Sequence, residues 1–73
     1  MAIYTILTET ELENHADKAD FILNHFVAIA NNPKRGMFKF DDSLPASLSS
    51  YDSYTESEVK AMQSDSNSDW YLG

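Results

Sequence analysis

Residues Thr8–Pro33 read TETELENHADKADFILNHFVAIANNP. The fold turns on this stretch, which carries both a helix start and a helix stop. Thr8 followed by Glu11 is the capping-box pattern, in which the threonine hydroxyl and the glutamate carboxylate each accept a backbone N–H. Thr10 with Glu13 offers a second register two residues on. Leu12, Ala16, Ala19, Leu23, Phe26 and Ala30 then recur at steps of three and four, the apolar stripe of an α-helix. Ile22, Val27 and Ile29 widen that stripe, and Phe21 points away from it. Residues 31–33 stop it, because the residue before a proline is pushed out of the α region. The pattern predicts one long helix over about 9–30.

The flanks read as strands. AIYTIL, residues 2–7, is rich in β-branched and aromatic side chains. GMFKFD, residues 36–41, alternates, with Phe38 and Phe40 on one face and Met37 and Lys39 on the other. The expected class is therefore α+β: a small sheet, with strands near 2–7 and 36–41, packed against one long helix. Beyond Asp42, SLPASLSS is a linker with Leu44 and Leu48 as anchors. TESE at Thr55–Glu58 is another capping box and opens a short helix over 56–63. SDSNSD has turn composition, and Trp70, Tyr71 and Leu72 follow it. We expect residues 1–42 to form the core of a single small domain. Residues 43–73 read as an acidic, serine-rich extension, partly ordered and folded back so that Trp70 and Leu72 complete the core.

A chain of 73 residues buries only roughly 60% of its unfolded surface, and without cysteine it has no disulfide or thiolate metal site. Its formal net charge is −7. Residues 1–40 hold five acids and four bases; residues 41–73 hold seven acids and one base, Lys60. That balance disfavours nucleic acid and anionic membranes as ligands and favours a basic protein. The first residues lack a basic segment followed by an apolar run, and the apolar cluster Phe21–Ala30 is interrupted by Asn24 and His25. A cytoplasmic protein without a membrane span is the expectation.

On the predicted helix, Glu9, Glu13, Asp17 and Asp20 fall within about one quadrant, successive carboxylates roughly 6 Å apart or less along the axis. Each strand of B-form DNA carries a charge per roughly 3.4 Å, so the row is a sparse copy of a phosphate line. The helix dipole accounts for acids in the first turn without any partner, but not for Asp17 and Asp20. Asp41, Asp42 and Asp69 extend the acidic surface, and the alternative to a folded-back tail is a docking segment in which Trp70 and Tyr71 are aromatic anchors of the kind that dominate interfaces. The basic turn Pro33–Gly36 is explained by the dipole of a preceding helix.

Catalytic signatures are missing. Glu11 and His15 offer two metal ligands one turn apart, with no third at helical spacing. The glycines, Gly36 and Gly73, make no phosphate loop, and no serine sits in a nucleophile elbow. We expect no enzyme, cofactor or metal.

TETELENHADKADFILNHF, residues 8–26, followed by a proline and by FKFDDS, resembles the acidic immunity proteins that neutralise nuclease colicins. The resemblance covers about half of the chain and implies only a small acidic inhibitor. The tyrosine pair and proline typical of that family are replaced here by MFKF, and a strand-like start departs from an all-helical family. The chain is not assigned to it.

The resulting expectation is a small acidic protein of the phage- or mobile-element type that inhibits a basic, nucleic-acid-handling protein by presenting carboxylates in place of phosphates. The alternative is a non-enzymatic interaction module of a larger assembly, docking through the apolar helix face or Phe21. A homodimer would bury more of the scarce apolar surface.

Overall fold

Seven residue pairs join β1 (Ala2–Thr8) antiparallel to β3 (Lys34–Asp41), from Ala2 opposite Asp41 to Thr8 opposite Arg35. The computed structural model describes residues 1–31 and 33–72. Between those strands the chain forms α1 (Glu9–Glu13), α2 (Lys18–Asn24) and β2 (Phe26–Asn31); after them come a 3₁₀ turn at Ala46–Leu48, β4 (Tyr54–Thr55) and α3 (Glu56–Ser64). The four strands make one antiparallel sheet in the order β2-β3-β1-β4. The α+β class and both expected strands are present.

The single long helix is not. Residues 9–30 divide into two short helices and a strand. The first break follows from what must be buried. Leu12 and Phe21 are nine positions apart, so at about 100° per residue a continuous helix would point them in opposite directions. Instead both pack into one cluster with Leu7, Phe38, Phe40 and Leu48. The chain turns at residues 14–17, where the Asp17 N–H donates to Nδ1 of His15 at 3.0 Å, a local bond that competes with the helix ladder. Phe21, read as facing away from the apolar stripe, is 2% exposed, while Leu23, read as part of it, is 82% exposed.

The second break lies at His25, whose N–H closes α2 on the Phe21 carbonyl and whose own carbonyl accepts from Lys39 N–H. FVAIAN then runs as a strand, Ala28–Asn31 opposite Lys34–Met37, with a bulge between Phe26 and Ala28. Short apolar runs fit helix or strand equally by periodicity. Here tertiary pairing decides. Asn32, part of the predicted helix stop, lies outside the described residues, as does Gly73.

Alternation along the strands builds two cores. Leu7, Phe38 and Phe40 lie on the face covered by Leu12, Phe21 and Leu48. Tyr4, Met37 and Ala30 lie on the other, under Val59 of α3 and Trp70. Both predicted capping boxes are formed: Thr8 with Glu11, and Thr55 with Glu58. Each contributes about 1 kcal/mol to its helix start. Asp42 takes a left-handed turn at φ 55°, which a short polar side chain tolerates. Its N–H donates to the Met1 carbonyl at 2.7 Å.

Candidate protein-interaction surfaces

The break in the helix disperses the expected carboxylate row. Glu9 pairs with Lys34 at 3.3 Å and Glu13 with Lys18 at 2.8 Å. The Lys18 hydrogen bond holds the Glu13 carboxyl below the usual glutamate range, with its charge adding to the effect. Asp20 accepts from the Asn24 amide at 2.7 Å and lies 3.6 Å from His25 Nε2. Asp17 stands exposed at the start of α2 and caps nothing with its side chain. Glu9 and Glu13 line one groove, whereas Asp17 and Asp20 do not.

The remaining expected contacts also separate. Asp42 takes the N-terminal ammonium at 3.1 Å, and Asp69 takes Arg35 at 2.6 Å. Trp70 is 5% exposed and belongs to the core, so it is no anchor for a partner. Tyr71 and Leu72 stay exposed, and Leu72 completes no core. Asp41 is exposed at the end of β3.

Charge instead divides along the strand order. Three of the five bases, Lys18, Lys34 and Arg35, line the groove beside β2, and Lys39 shares a recess at the same edge with Asp41, Phe26 and Val27. The opposite edge is acidic. Asp52 precedes β4, Glu56 and Glu58 follow it, and a shallow polar recess sets Glu11 beside Tyr51 and Asp52. Among the described residues, Glu11, Asp52, Glu56 and Glu58 make no ion pair. The Glu11 carboxyl is held below the ordinary range chiefly by the Thr8 N–H. Burial, with Glu11 nearby, pushes the Tyr51 hydroxyl upward.

The apolar surface is likewise elsewhere than expected. Phe21 is buried and offers no contact. Ile22, Leu23, Phe26, Val27 and Ile29 are all exposed, on α2 and β2. Leu12, Ile22, Phe26 and Ile29 line the groove, of about 240 Å³, whose rim carries the Glu9–Lys34 and Glu13–Lys18 pairs. The signal that could have exposed this surface is Asn-Pro between FVAIAN and KRGMFKF, a turn dipeptide between two strand-like runs.

Among the described residues no group of three or more potential ligands is placed to hold a metal, and no helix is long and apolar enough to cross a membrane. No family model, curated protein or solved structure matches the chain.

Proposed function

We propose that this chain is a non-enzymatic binding protein whose acidic side, at the β4 edge, docks a basic protein. The observation that carries the reading is the segregation of charge. Four of the five bases gather at the β2 edge, where Glu9 and Glu13 are already neutralised; Lys60 lies on α3 one turn after Glu56, and among the described residues Glu11, Asp52, Glu56 and Glu58 make no ion pair near the other edge. With a net charge of −7, this side steers a cationic surface toward it before contact.

The finer part of the proposal is that the partner handles nucleic acid in the cytoplasm. A surface built to receive phosphates accepts carboxylates in their place, and a small acidic protein seated there blocks it. Glu9 and Glu13 leave this proposal, because Lys34 and Lys18 cancel them. Asp41 leaves it too, because it lines the β2-edge recess with Lys39, while Asp17 remains exposed at the start of α2.

The test is capture from lysate with the intact chain and with an Asp52→Lys/Glu56→Lys variant, followed by identification of the bound protein. The expected result is a basic protein held only by the intact chain, released by salt and displaced by a DNA oligonucleotide. Equal capture of the same protein by both chains overturns the reading, because exposed charges that matter are screened and reversible.

A further inference from the structure

We propose that β2 is a self-association edge: a second copy of the chain pairs antiparallel with Phe26–Asn31 across a two-fold axis and covers the apolar groove beside it. This goes beyond the acidic docking side and rests on different residues.

The backbone supplies the first argument. β2 is an edge strand, and among the described residues only β3 pairs with it. An edge strand presents unpaired N–H and C=O groups, and stable monomers blunt such edges with charge, proline or a bulge. FVAIAN has no charge and no proline. Its bulge lies between Phe26 and Ala28, which leaves Ala28–Asn31 in regular register. A strand meeting its own copy about a two-fold axis pairs antiparallel, so one sequence supplies both sides.

Side chains supply the second. Five of the eight exposed large hydrophobic residues fall within Ile22–Ile29. Ile22, Phe26 and Ile29 share one groove with Leu12, and exposed apolar side chains gathered in this way mark an interaction site.

Charge selects the occupant. Two copies of net charge −7 repel wherever their acids meet. The β2 edge is the exception: three bases and two acids line its groove, the Glu9–Lys34 and Glu13–Lys18 pairs leave the rim neutral, and in the recess beside Phe26 and Val27 Lys39 offsets Asp41. Self-pairing here keeps the two acidic β4 edges apart, at opposite ends of one continuous sheet.

The arrangement predicts a particular contact. Pairing centred on Ile29 sets Ile29 against Ile29 of the second copy, with Cα atoms about 4.5–5.5 Å apart. A disulfide spans that distance. The chain has no cysteine, so Ile29→Cys introduces the only thiol.

Three proteins test this by sedimentation equilibrium, over a rising concentration and at low and high salt. The intact chain is expected at twice 8.3 kDa, more completely at high salt, because screening relieves the repulsion of like-charged copies. Ile29→Lys, with an unchanged far-UV spectrum, is expected at the single-chain mass. Ile29→Cys is expected to form a covalent dimer under mild oxidation, and Glu56→Cys, at the opposite edge, is not. An intact chain that stays monomeric at millimolar concentration overturns the proposal. So does an Ile29→Lys variant that still dimerises. Should Ile29→Lys fail to fold, Ile29→Cys decides: no cross-link, or equal cross-linking of Glu56→Cys, overturns it. The sign of the salt effect separates this from docking on the acidic side, which salt weakens.

Discussion

Asp69 accepts a hydrogen bond from Nη2 of Arg35 at 2.6 Å, and the Arg35 guanidinium lies 5.5 Å from the ring centroid of the adjacent Trp70. One side chain on β3 therefore grips two consecutive residues near the end of the chain. Arg35 Nε also donates to the Pro33 carbonyl at 3.0 Å, which fixes the plane of the guanidinium. Arg35→Ala is expected to lose about 1–2 kcal/mol, the sum of a half-exposed ion pair and a cation–π contact. Trp70 fluorescence should shift to the red as the ring gains water. A urea melt with fluorescence detection measures both. An unchanged spectrum would mean that Trp70 is held by the core alone.

Phe21 and Leu23 have exchanged the roles that helical periodicity gives them. Phe21→Ala is expected to cost about 3–5 kcal/mol, as a large buried aromatic does when truncated. Leu23→Ala is expected to stay within about 0.5 kcal/mol of the parent. Chemical denaturation of the two variants checks the break in the helix directly, since a continuous helix over 9–30 predicts the reverse order.

What was legible in the sequence was local. Each capping box needs only a residue and its neighbour three positions on, and both are formed. The alternation in MFKF carries its own periodicity, and it placed Phe38 and Phe40 opposite Met37 as found. Residues 26–31 were not legible in this way. Their strand state comes from pairing with residues 34–38, which no window on the run itself contains. The candidate site inherited that error. Glu9, Glu13, Asp17 and Asp20 form a row only on a continuous helix, whereas α1 ends at Glu13, and the lysines that cancel two of them arrive from α2 and β3.

Gly36 is required by its neighbour. A Cβ built there would lie 2.9 Å from the ring of Phe38, which is fully buried. Gly36→Ala is expected to destabilise by about 1–3 kcal/mol through overpacking. Gly36→Ala combined with Phe38→Leu should recover part of the loss that the alanine adds, and a thermal melt of the three proteins measures it.

Glu11 links stability to pH. Its folded carboxyl titrates below the ordinary value of 4.5, mainly because the Thr8 N–H donates to it. A depressed carboxylate contributes stability above its unfolded pKa, and that stability is lost as pH falls through the folded one. Stability should therefore decline on acidification below about 4.5 more steeply in the parent than in Glu11→Gln. Solvent screening at this exposed site keeps the difference small. Matching acid-limb profiles for the two proteins would remove Glu11 as a contributor.

The central claim is that the acidic side, and not the β2 edge, takes a basic partner. The most direct measurement is the dissociation constant of the captured, purified partner for three chains: the parent, Asp52→Lys/Glu56→Lys, and Ile29→Lys. Each is titrated at low and high salt. The account predicts at least about tenfold weaker binding for the double reversal, equivalent to about 1.4 kcal/mol, with the parent weakened by salt. Ile29→Lys should bind as the parent does. Parent-like affinity in the double reversal, or loss of binding in Ile29→Lys alone, would contradict it.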